Sequence, residues 1–78
     1  MKFRYIWDPA ALFVFYRLPR HSVTLVDRAV IHFAERGEGQ LEWDPPYHRL
    51  RAGLHHVMIA IDREARTFTV LRIYRAHP

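Results

Sequence analysis

Cysteine is missing from the chain, which rules out a disulfide framework and any zinc site built on thiolates, and makes a reducing cytoplasm the expected compartment. Lysine is almost missing too: of twelve basic side chains only Lys2 is a lysine, so the positive charge is carried by guanidinium groups. No apolar run approaches the ~20 residues needed to span a bilayer, and the opening MKFRYIWDP lacks the apolar core of a secretory signal. These absences point to a soluble chain with no membrane attachment. There is no Gly-rich phosphate loop, and Ser22 has no recognisable triad partners, so nucleotide-binding and serine-hydrolase readings fail. Repeats and low-complexity tracts are also lacking.

What is present fits one domain spanning residues 1–78, close to the size at which a hydrophobic core barely suffices without staples. Twelve Lys plus Arg against eight Asp plus Glu leave a formal charge of +4 and a pI near 10.1. Guanidinium forks pair with phosphate and carboxylate oxygens and stack on bases, so acidic partners are expected. Surface arginines that merely keep a small apolar domain in solution are the simpler alternative.

The stretch from Tyr47 to Arg75 organises the rest. Leu54 to Ile61 is apolar and β-branched, Asp62-Arg63-Glu64-Ala65 is a polar break, and Arg66 to Arg75 alternates in character. Two antiparallel strands joined by a tight turn fit this pattern. A shorter strand, Tyr47 to Arg51, precedes them across a bend at Ala52-Gly53. Side chains alternate across a strand, which puts Val57, Ile59 and Ile61 on one face and His56, Met58 and Ala60 on the other. On the last strand Leu71 and Ile73 are assigned to the core, and Phe68, Val70, Arg72 and Tyr74 to the opposite side.

At the N-terminus, Phe3, Tyr5 and Trp7 share one face of a strand that Asp8-Pro9 stops. Asp8 suits a helix N-cap and Pro9 the first helical position, predicting a helix from Pro9 to about Arg17. Its run Leu12, Phe13, Val14, Phe15, Tyr16 is apolar around most of the circumference. Either the segment is a strand, or the helix offers an apolar patch, including Leu12, Phe13 and Tyr16, to a partner or a second copy. After Leu18-Pro19-Arg20 a second helix is predicted from about His21 to Arg36, with Val23, Val26, Ala29, Val30 and Phe33 as its buried stripe and glycines 37 and 39 at its end. Gln40 to Pro46 reads as a loop, closed by Pro45-Pro46 and anchored by Trp43. The predicted class is therefore α+β: an N-terminal strand, a hairpin of two helices, then a three-stranded antiparallel sheet. Two helices cover only one face of such a sheet, leaving a basic, histidine-containing face open.

Six histidines are candidates for proton transfer near neutral pH. His56 lies on the open face. His48 lies on the adjoining strand beside Arg49 and Arg51, and His77 is close enough to the end to reach the same surface. His55 has the parity of a packing residue, and His21 and His32 belong to the second helix. No His-x-x-x-His pair exists and His55-His56 point apart, so no metal and no other cofactor is expected. RNA cleavage by its own 2′-hydroxyl fits these groups: His56 and His48 with Arg51 and Arg75 for the chemistry, and Arg49, Arg72, Tyr74 and His77 for phosphates and bases.

The run LRAG followed by HHVMIAIDREARTFTVLRI resembles the C-terminal sheet of the RelE/ParE toxin superfamily, where an LR-x-G turn, a strand ending in an Ile-Asp-type turn and a TVLRI-type strand succeed one another at this spacing. The first half is similar more loosely, through Asp8-Pro9-Ala10-Ala11, Leu18-Pro19-Arg20 and the helix that follows. The resemblance implies a RelE/ParE-like fold and a toxin of a type II toxin–antitoxin system. Of the two activities it offers, the first is a metal-independent, ribosome-dependent mRNA endonuclease. The alternatives are a ParE-like inhibitor that binds DNA gyrase, or a degenerate toxin that only binds its antitoxin. A cognate antitoxin wrapping the helices and sheet is implied in each case, and the chain is expected as a homodimer or as a hetero-oligomer with that antitoxin. By position, the family's basic residue before Leu-Arg falls at Arg49, the arginine of that pair at Arg51, and the active-site arginine of the next strand at His56. The family's C-terminal arginine aligns with Ala76, one place after Arg75, and the tyrosine it carries further on has no counterpart before Pro78. Charged residues that the family shows on the first helix are replaced here by Leu12, Phe13 and Val14.

Overall fold

The computed structural model describes residues 2–76. In chain order these form β1 (Arg4–Trp7), α1 (Pro9–Arg17), α2 (Arg20–Arg36), β2 (Leu41–Asp44), β3 (Tyr47–Ala52), β4 (His55–Asp62) and β5 (Thr67–Arg75). The strands make one sheet in the order β1-β5-β4-β3-β2. Successive strands from β2 to β5 pair antiparallel, while β1 lies parallel to β5.

Local chemistry sets the boundaries. The Asp8 carboxylate accepts the Ala10 N–H at 2.9 Å, and Pro9 opens α1 where its missing donor costs nothing. Leu18 is extended, as a residue before proline prefers, and closes that helix. Gly37, at φ 68°, ends α2 in the left-handed conformation and donates its N–H to the Phe33 carbonyl at 2.7 Å. The β4–β5 turn is held by the Ala65 N–H on Asp62 Oδ1 at 3.0 Å.

Both helices lie against the same face of the sheet. Val26, Val30 and Phe33 of α2 and Ala11 of α1 meet Leu50, Val57, Ile59, Phe68, Val70 and Ile73. Phe33 is the hub, with ring centroids 5.4 Å from Phe3 and 5.2 Å from Phe68, and Tyr5 stacks on Phe68 at 5.3 Å. Trp7 meets Phe15 of α1 at 4.8 Å, so the N-terminal strand contributes its expected face to the core.

The sheet corrects three expectations. It has five strands and is mixed, where three antiparallel strands after the helices were expected. The additional strand is β2, from the segment read as a loop: its Leu-Glu-Trp-Asp alternates across the ladder with β3, and Pro45-Pro46 forms the connection between the two strands. Trp43, expected to anchor a loop, is 62% exposed at this edge and stands against the His48 ring. Finally, Phe68 and Val70 are buried together with Ile73, whereas Leu71 is not. The register passes from Ile59↔Val70 to Met58↔Arg72, so Leu71 is an extra residue in a β-bulge. A bulge inverts the alternation on one side of itself, and strict period two assigns the first half of β5 to the wrong face.

Candidate nucleic-acid interface

The face without helices is built by register. Arg51 of β3 lies directly opposite His56 of β4, which lies opposite Tyr74 of β5. One step along, Arg49 lies opposite Met58, which lies opposite Arg72, and Glu42 of β2 extends that row beyond Arg49. Cross-strand partners point to the same side of a sheet, so three guanidinium groups, one imidazole and one phenol share one surface. The bulge at Leu71 makes this possible, since it turns Arg72 and Tyr74 outward while Phe68 and Val70 point inward.

His56 occupies the middle of the first row and is only 9% accessible although no helix covers it. Its neighbours do the covering, including the Tyr74 ring, set edge to face at a centroid distance of 5.4 Å. Both imidazole nitrogens are shielded and have no hydrogen-bond partner. Burial lowers the pKa of His56 below the ordinary 6.5, and the charges of Arg49 and Arg51 lower it further against weaker opposition from Glu42 and Asp44. The ring is therefore neutral at pH 7, with an unpaired lone pair that a substrate reaches only when the covering side chains move aside.

The arginines differ from one another. Arg51 donates Nε–H to the Gly53 carbonyl at 2.8 Å, which fixes its stem while its two terminal amino groups carry no ion pair among the described residues. Arg49 faces carboxylates instead: Nη2 is 3.6 Å from Glu42 Oε1 and Nε is 3.8 Å from Asp44 Oδ2. Arg72 lies over the Tyr74 ring at 5.3 Å, a flat pair of the kind that stacks bases.

Two residues expected at this site lie elsewhere. His48 pairs with Ile59 and has the parity of Leu50 and Ala52, so it projects from the helix-bearing side, with its ring 4.9 Å from Trp43. Nearness in sequence to Arg49 and Arg51 cannot overcome strand alternation. Arg75 pairs with His55 and shares the side of Ile73, so it also points away from His56. His77 falls outside the described residues. On α1, Phe13 and Tyr16 are exposed at 63% and 74%, and Leu12 is half-buried. Glu42 and Asp44 are the members of the site that sequence reading missed. The signal was their alternation with Leu41 and Trp43, which puts both carboxylates on the face of Arg49.

No three His, Asp or Glu side chains gather in a metal-holding arrangement among the described residues, and none of their helices is long and apolar enough to cross a membrane.

No protein-family model matches the chain, and no curated protein matches it in sequence. Solved structures do match in three dimensions. The chain is similar to a chain of the archaeal RelE–RelB complex of Pyrococcus horikoshii OT3, with a TM-score of 0.79 and 12% identity over 96% of both chains. It is also similar to a chain of the RelBE2 toxin–antitoxin complex of Mycobacterium tuberculosis, with a TM-score of 0.68 and 19% identity over 96% of this chain and 92% of the other. The fold is thus the RelE/ParE-like toxin fold. At these identities the likeness extends to the architecture alone.

Proposed function

We propose that this protein is the toxin of a cytoplasmic toxin–antitoxin pair and acts as a RelE-type, metal-independent endoribonuclease on ribosome-bound mRNA. One observation carries the reading: a neutral imidazole sits among guanidinium groups on the side of the sheet that the helices leave bare. His56 removes the proton of a ribose 2′-hydroxyl. The O2′–P bond forms and the P–O5′ bond breaks, leaving a 2′,3′-cyclic phosphate and a 5′-hydroxyl. Arg51 and Arg72 hold the phosphoryl oxygens as negative charge builds on them. With His48 on the far face, the proton for the leaving 5′-oxygen comes from water or from the Tyr74 hydroxyl. The similarity to chains of two toxin–antitoxin complexes supports a protein antitoxin as the cognate partner.

The test is expression of the chain alone in a bacterial host, with the 5′ ends of transcripts mapped. Cuts phased to codons, lost in His56→Gln, support the reading. A second reading rests on the exposed Phe13 and Tyr16 of α1, which favour a toxin that acts by gripping a protein such as DNA gyrase. It would give a DNA-damage response with intact transcripts.

A further inference from the structure

We propose that the helix-free face carries a separate subsite between β1 and β5, which takes an unpaired base of the RNA strand that His56 cuts. The inference rests on the RNA-cleaving reading and adds to it the place where a neighbouring nucleotide is held.

A cleft of about 390 Å³ lies along the paired strands, lined by Arg4, Tyr5, Ile6, Thr67, Phe68 and Thr69. Register places Ile6 opposite Thr69 and Arg4 opposite Thr67. These four side chains have the parity opposite to buried Phe68 and half-buried Tyr5, so they face the same way as His56. Ile6 is 67% exposed, on a strand whose other face packs well. An aliphatic platform beside two hydroxyls, each both donor and acceptor, matches a nucleobase: a flat apolar face with polar edges. Arg4 adds a cation at the rim. Asp62, which lies opposite Thr67, accepts the Ala65 N–H in its own turn.

The cleft also lies on a path from the catalytic row. Thr69 pairs with Ala60, and Ala60 is four residues along β4 from His56, which is ~13 Å of strand. The floor between them is Met58 and Ala60, both half-buried, with Arg72 alongside. Bases can lie on that floor with their phosphates toward the arginine, so an extended single strand with its scissile phosphate at His56 reaches the cleft after a few nucleotides. At the other end of the row, Glu42 and Asp44 oppose a phosphate chain. The strand is thereby directed toward β1 and away from β2.

The experiment measures binding to the whole chain of uncleavable 2′-O-methyl oligouridylates of two and about twelve nucleotides, the first too short to bridge the ~13 Å from His56 to the cleft and the second within the range of common single-strand site sizes. The longer oligomer is expected to bind more tightly than the shorter. Ile6→Ala/Thr69→Val should weaken the longer about tenfold and leave the shorter, and the melting temperature, unchanged. Arg51→Ala should weaken both. If the double variant binds the longer oligomer like the wild type, the subsite does not exist while the cleavage reading stands. If the wild type binds neither oligomer, the subsite falls, while the cleavage reading, which concerns ribosome-bound mRNA, is decided separately by transcript mapping.

Discussion

Arg51 and His56 stand opposite each other on β3 and β4, on the side of the sheet that no helix covers. The pair joins a fixed cation to a proton acceptor, the minimum needed to activate a 2′-hydroxyl beside a phosphate. His56→Gln should lower transcript cleavage by about 100- to 10,000-fold, the usual contribution of one positioned acid or base. Arg51→Ala should also lower cleavage severely, through lost charge stabilisation in the transition state. His56 has no hydrogen-bond partner to lose, and Arg51 is exposed with one hydrogen bond to the Gly53 carbonyl, so both variants should keep their fold, which circular dichroism melts would check. Cleavage at wild-type rate in folded His56→Gln would remove the imidazole from the mechanism.

The lowered pKa of His56 has a sign that can be tested in two ways. The folded state binds this proton less readily than the unfolded state, whose histidine titrates near 6.5. Stability from this group is therefore fully present above pH 6.5 and lost as pH falls from there through the lowered folded-state value. The wild type should lose more of its melting temperature than His56→Gln between pH 7 and about pH 5. Cleavage should be flat across neutrality and decline only on the acid side of 6.5, because the ring must be neutral to accept the proton. A rate that instead rises on acidification would assign His56 the role of proton donor.

Much of the architecture is legible in the sequence. Asp8-Pro9 and Gly37 mark helix ends through chemistry confined to a few neighbours, and Val57 and Ile59 show their face by simple alternation. The failures share a different origin. The bulge at Leu71 is set by how β5 packs against β4, and no residue in TFTVLRIYR announces an extra position. A strand of only four residues before two prolines looks like a loop until β3 supplies its partner. His48 is another matter: two residues before Leu50, it has the parity of the core side, and that information was present in the sequence.

Arg49 is held by acids that come from the unexpected strand. Glu42 and Asp44 reach it at 3.6 and 3.8 Å, so a phosphate must compete with two carboxylates for the guanidinium. Glu42→Gln/Asp44→Asn should raise affinity for single-stranded RNA and steepen its dependence on salt, because one more cation becomes free to displace counterions. Both acids are substantially exposed, and stability should change by less than about 1 kcal/mol. Fluorescence anisotropy across a salt series reads both quantities. Unchanged affinity would mean that Arg49 takes no part in holding RNA.

The exposed aromatics of α1 separate the two proposed readings of how this protein acts. Phe13 lies under the Arg17 guanidinium at 5.0 Å, and Tyr16 is the more exposed of the two at 74%. Neither side chain belongs to the buried core, so Phe13→Ser/Tyr16→Ser should shift stability by no more than about 0.5 kcal/mol. If the sheet does the chemistry, this variant still cuts transcripts and still arrests growth, while His56→Gln does neither. The reverse pattern, arrest lost with the helix variant and kept with His56→Gln, would move the toxic surface to α1 and make the protein a binder rather than a nuclease. Measuring arrest and transcript cleavage for both variants under the same expression level decides between them, since each surface is altered while the other is left intact.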